Sequence, residues 1–90
     1  MAYHELSLLE ANQYDIYRME LGRYIRFKRI GLGHKVRPFA VIADIEHHQL
    51  INIEKGRVDM RFSTLIKIAE AFQLLPEELL EEARNHEFED

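Results

Sequence analysis

Apolar residues recur along this chain at intervals of three and four, and no stretch alternates apolar with polar as a half-buried strand does. Ile16, Met19, Leu21, Tyr24 and Ile25 carry one helical pattern to about Ile30, with Asp15 placed to cap it and Gly31 and Gly33 to end it. Gly22 falls inside that pattern, at a cost of about 1 kcal/mol against Ala. Phe39, Ala40 and Ala43 predict a helix over 36–43, and Leu50 with Ile53 a helix over 47–54, closed by the positive φ that Gly56 supplies. Leu65, Ile68, Ala69 and Phe72, spaced i, i+3, i+4, i+7, predict a fourth helix over 60–72 with Asp59 as its cap. Pro76 opens a fifth, where Glu77 and Glu78 suit the positive end of the helix dipole. Leu6, Leu8, Leu9 and Tyr14 are interrupted by Asn12-Gln13, so 1–15 is expected to be an arm, weakly helical or partly disordered. The expected class is all-α.

The junction between the second and third helices narrows the picture. Asp44-Ile45-Glu46 is too short a link for two helices to lie side by side, so they cross steeply, as in a helix-turn-helix. Such a unit holds its second helix in the DNA major groove. Pro38 lacks an N–H in the first turn of the second helix, and Lys35 before it has no acceptor to offer, so the two irregularities cancel.

These pieces together resemble the Cro and phage-repressor (Xre-like) family. Ile25-Arg26-Phe27-Lys28-Arg29 is similar to its first helix, Gly31-Leu32-Gly33 to its first turn, and Phe39-Ala40 to the apolar-Ala pair of its second helix. Ile53-Glu54-Lys55-Gly56 resembles the close of its third helix, Leu65–Phe72 its fourth and Pro76–Leu80 the start of its fifth, covering about residues 21–80. The chain departs from the family at Lys35 and Val36, where the family has Ser/Thr then a Gln that touches a phosphate, and at Asp59-Met60, where it has Asn-Pro. The resemblance implies a five-helix, lambda-repressor-like DNA-binding domain at 16–82, preceded by the arm at 1–15 and followed by an acidic tail at 83–90.

Charge is distributed to match. The net charge of −4 argues against a DNA binder, but residues 77–90 hold seven acidic groups against Arg84 alone. Within 18–37 there are seven basic residues and one acidic, so a basic side and an acidic side are expected. The chain has no cysteine, which excludes disulfides and thiolate zinc sites, and no apolar run of membrane-spanning length. Its first residues lack the pattern of a signal peptide, and the expected compartment is the cytoplasm.

The candidate chemistry follows from the third helix. By the resemblance, His47, His48 and Asn52 occupy base-reading positions, and Asn can bind adenine through N6 and N7. Gln49 is expected near the phosphates, and Glu46 either caps the helix or accepts from cytosine N4. No Lys or Arg on this helix precedes Lys55, so affinity is expected from Arg29, Lys35, Arg37, Lys55, Arg57 and Arg61. In similar repressors an Arg at the place of Arg29 pairs with the Glu closing the third helix, here Glu54, and any phosphate contact from Arg29 is secondary.

Five histidines raise a metal site, and Asp44 and His48 stand at i, i+4, but His47 and His48 as neighbours are expected on different faces and no thiolate is available. No nucleophile elbow, Ser-His-Asp spacing or phosphate-cradling glycine loop points to an enzyme, and no cofactor or metal is expected. The expected function is a dimeric transcriptional regulator, repressor-like, reading an inverted repeat in double-stranded DNA. Its two-fold contact is expected through the fifth helix at Leu79 and Leu80, with Phe88 as an addition. The rival is a protein-interaction module of the same fold that binds a protein partner and has lost DNA.

Overall fold

The computed structural model describes residues 2–88, with side chains from Gln13 onward. Five helices follow in order: α1 (Ala2–Gly31), α2 (Val36–Ala43), α3 (His47–Glu54), α4 (Phe62–Ala71) and α5 (Pro76–Asn85). Among the described residues there is no strand, and the all-α, five-helix class read from the periodicity is the observed one. No described helix is long and apolar enough to cross a membrane.

α1 runs unbroken through the segment expected as an arm, although the side chains of Leu6, Leu8 and Leu9 lie outside the described residues. Its thirty residues make it about 45 Å long at 1.5 Å each, which sets the 46 Å long dimension of the molecule. Asp15 therefore does not cap a helix start; it sits within α1 and binds Arg18 Nη2 at 2.9 Å. Gly22 does not weaken the helix for want of a better residue. A Cβ there would stand 2.1 Å from the carbonyl oxygen of Ile53 and 3.1 Å from that of Glu54, so α1 and the end of α3 touch backbone to backbone.

The core draws one large, fully buried side chain from each helix: Ile25, Phe39, Leu50, Ile68 and Leu79. Phe72 adds its ring to Phe39 at 4.7 Å between centroids. α1 packs on α3 and α5, α2 on α3 and α4, and α4 on α5. An α3 of eight residues could not persist alone in water, so this packing is what makes it a helix.

The first four helices all end the same way. After each, one residue takes the left-handed conformation, at Gly33, Asp44, Gly56 and Gln73. The next N–H then reaches back to a carbonyl five residues earlier: His34 to Arg29, Ile45 to Ala40, Arg57 to Asn52 and Leu74 to Ala69. This is the Schellman closure, and only two of its four positions hold the glycine that fits best.

Two expected caps are not made. α4 begins at Phe62 with Arg61 in the extended N-cap position, and Asp59, too early to cap it, instead accepts from Arg18 Nη1 at 3.3 Å. Glu46 precedes α3 without a side-chain cap bond. At α5 the N–H of Leu75 donates to the Glu78 carboxylate at 2.8 Å, one half of a capping box.

The face expected to join two subunits is also different. Leu79 is 0% exposed and belongs to its own core, so it offers nothing to a second chain; only Leu80, 44% exposed, remains on α5. Phe88 folds back with His86 onto Phe27, and the guanidinium of Arg23 lies 4.0 Å from its ring centroid. Residues 83–85, expected in the acidic tail, complete the last turn of α5.

Candidate nucleic-acid interface

The α2–turn–α3 unit owes its angle to Asp44. With φ 58 and ψ 48 this residue reverses the chain, and Glu46, at φ −71 and ψ 141, starts α3 in a new direction. Ile45 packs against the core as the turn passes over it. The angle leaves a concavity of about 670 Å³ between the helices, bordered by Arg37, Val41, Glu46 and His47.

Leu50 and Ile53 turn the inner face of α3 into the core. His48 stands exposed on the outer face, with His47 and Asn52 half-buried beside it. His47 and His48 do not diverge as expected for neighbours: their rings meet at a tilt of 36° with centroids 4.0 Å apart. Burial, then the charge of Arg37, then His48 lower the His47 pKa against the weaker opposing pull of Glu46, favouring a neutral ring at neutral pH. A neutral imidazole offers one donor and one acceptor, which suits base edges better than phosphates. Gln49 is half-buried, its amide nitrogen 3.4 Å from the Thr64 hydroxyl at the start of α4.

Arg29 and Glu54 meet across twenty-five residues. Nε donates to one carboxylate oxygen at 2.6 Å and Nη2 to the other at 2.9 Å, while Nη1 donates to the carbonyl of His34 at 2.7 Å. The side chains are 7% and 4% exposed. Three of the five guanidinium N–H donors are thus engaged under the protein surface, and little of the side chain is left exposed toward a phosphate. What it does is tie the end of α1 to the last turn of α3 and to the loop between α1 and α2.

The remaining cations are exposed. Lys35 and Arg37 lie at the start of α2, Lys55 ends α3, Arg57 follows it, and Arg61 precedes α4. Arg18 was not anticipated from the sequence as part of this region. Its Nε donates to the carbonyl of Gly56 at 2.9 Å, and with its bond to Asp59 it holds both sides of the loop carrying Arg57. The Asp15–Arg18 spacing of i, i+3 was legible, but a contact reaching 38 residues along the chain left no local signal. Met19 joins it, since a Cβ on Gly56 would fall 2.6 Å from its Cγ. No three His, Asp or Glu side chains gather as a metal-binding set among the described residues.

No family model, curated protein or solved structure matches this chain.

Proposed function

We propose that this chain is a sequence-specific DNA-binding regulator that resembles the Cro and phage-repressor family and inserts α3 into the major groove. The observation that carries the reading is the short α2–turn–α3 unit, reversed at Asp44, whose second helix is fixed by the buried Arg29–Glu54 pair. An eight-residue helix needs such an anchor to present side chains at fixed positions. His47, His48 and Asn52 are then the base readers, while Lys35, Arg37, Lys55, Arg57 and Arg61 meet phosphates on either side. Two copies act on an inverted repeat, as two-fold symmetry requires. Regulation of transcription in the cytoplasm, without a cofactor and without catalysis, belongs to the same reading.

The test is a selection from random duplexes followed by binding measurements at several salt concentrations. Asn52→Ala should weaken the selected site by about 1–3 kcal/mol and relax preference at one position. Lys55→Ala or Arg57→Ala should weaken all duplexes alike and lower the salt slope by about 0.9 per lost contact. Enrichment of no sequence would sink the proposal.

One observation favours the rival. Val41 and Phe62 are 79% and 69% exposed, the highest of the large apolar side chains described. A protein partner would cover them. Retention on heparin that disappears at low salt, together with no duplex binding, would favour that module instead.

A further inference from the structure

Two imidazoles and a guanidinium crowd the place where α3 begins. The rings of His47 and His48 touch, with centroids 4.0 Å apart. Arg37, in the first turn of α2, borders the same concavity as His47, so the chain reversal at Asp44 brings a permanent cation to that ring from the neighbouring helix. Two carboxylates border the concavity as well, those of Asp44 and Glu46. Asp44 is drawn toward α4, its carboxylate 3.4 Å from Lys67 Nζ, which leaves Glu46 as the group that favours a proton on His47. Arg37 and His48 both oppose that proton, and each outweighs Glu46.

We propose that His47 is a proton-sensitive base reader, neutral when it reads and cationic when it only binds phosphate, and that Arg37 is the residue that keeps it neutral. The inference rests on the DNA reading above and gives that site its regulation. A ring nitrogen without a proton accepts, and the donors it meets in the major groove are the exocyclic amines, adenine N6 and cytosine N4. Protonation replaces this acceptor with a second donor, so the contact is broken. The same proton adds a positive charge among phosphates, which strengthens contact with any duplex whatever its sequence. One proton thus pushes specific and non-specific binding in opposite directions.

The sign fixes the range. Burial, then Arg37, then His48 hold the His47 pKa below its ordinary 6.5, so the neutral ring prevails above that value and the cation forms only below it. Discrimination between sequences is therefore whole at neutral pH and declines with acidification below 6.5. Arg37 then has two tasks, a phosphate contact and the exclusion of a proton from its neighbour, and only the second depends on pH.

Two measurements on the full chain test this. The first is a histidine ring titration by NMR without DNA. His47 should titrate below 6.5 in the wild type, move upward in Arg37→Gln and stay low in Arg37→Lys, which keeps the charge. The second is the ratio of affinities for a selected duplex and a random one, from about pH 7.5 to about pH 5. The ratio should fall at least about threefold in the wild type, and its fall should begin at higher pH in Arg37→Gln. The loss of a phosphate contact in Arg37→Gln weakens both duplexes alike and cancels in the ratio. His47→Gln keeps an acceptor that takes no proton, so it should lose most of the fall. All three variants change half-buried or exposed positions and should keep the wild-type helical circular dichroism. A His47 titration that Arg37→Gln does not move, a ratio that stays flat with pH, or an equal fall in His47→Gln would overturn the proposal. A flat ratio in a chain that does select a sequence overturns this inference alone, whereas a chain that selects none overturns the DNA reading and the reader role with it.

Discussion

Replacing Arg29 by Ala should bring this domain close to unfolding. The change strands Glu54, whose side chain is 4% exposed and whose two oxygens both accept from that one guanidinium. It also takes a donor from the carbonyl of His34. Losing one member of a buried pair costs about 3–5 kcal/mol, because the other charge is left without water and without a partner. A domain of 90 residues holds about 5–10 kcal/mol in total, so about a third or more of the stability is at stake. The melting temperature should fall by more than about 12 °C at a size where each kcal/mol is worth about 4–8 °C.

Urea unfolding of the two single variants and of the double variant separates attraction from stranded charge. Arg29→Ala and Glu54→Ala should each be severe. Arg29→Met combined with Glu54→Leu should recover much of the loss, since neither charge remains and the volume is kept. The coupling energy between the positions, from Arg29→Ala, Glu54→Ala and the variant carrying both changes, should reach at least about 2 kcal/mol. Two mild single variants whose effects simply add would refute the reasoning, because α3 would then be held in place by its apolar face alone.

Three further outcomes follow from particular contacts. Gly22→Ala, which would gain about 1 kcal/mol in an isolated helix, should instead lose at least about 2 kcal/mol in urea unfolding, because its Cβ meets the backbone of Ile53 at 2.1 Å and no rotamer can relieve it. Gln73→Gly should raise stability by about 0.5–1 kcal/mol, since Gln73 holds φ 62 at a Schellman position where glycine is unstrained; a loss of stability would count against that geometry. Tyr24→Phe should flatten the pH dependence of the urea midpoint at both ends. Burial, then the hydrogen bond to Glu82 and its charge, push the Tyr24 phenol up to about 12, so its contribution is whole below its ordinary value of 10.0 and is lost as pH rises from there through about 12. The Tyr24 hydroxyl, followed by Lys28, holds Glu82 below its ordinary 4.5, so that contribution is present above 4.5 and fades as pH falls below it. A variant with unchanged slopes would show that the 2.7 Å bond is not formed in solution.

The helices were legible because periodicity reports which face is buried, and in this chain nearly every buried position is apolar. The ends of α2 and α3 fell where the spacing put them, and Pro76 marked the start of α5. Asp59 misled because α4 starts later than the spacing suggested, with Arg61 at its N-cap, which leaves the Asp59 carboxylate to accept from Arg18. Leu79 and Leu80 show the same limit from the other side. Adjacent leucines on a helix point about 100° apart, and composition alone does not say which of them a small core has room for. Gly22 was legible as an anomaly but not as a contact. Its cost to α1 is local and visible, whereas the carbonyl of Ile53 that demands it lies 31 residues away.

The constraints on α3 are unevenly shared, and this matters for any function it performs. Its start is set by one backbone reversal at Asp44, with Glu46 contributing no side-chain cap. Its end is held by α1 at four points: Gly22 against the carbonyls of Ile53 and Glu54, Arg29 on Glu54, Met19 against Gly56, and Arg18 on the carbonyl of Gly56. α1 is therefore the frame to which the end of α3 is fixed, while the His47–His48 end is anchored mainly through the core beneath Leu50.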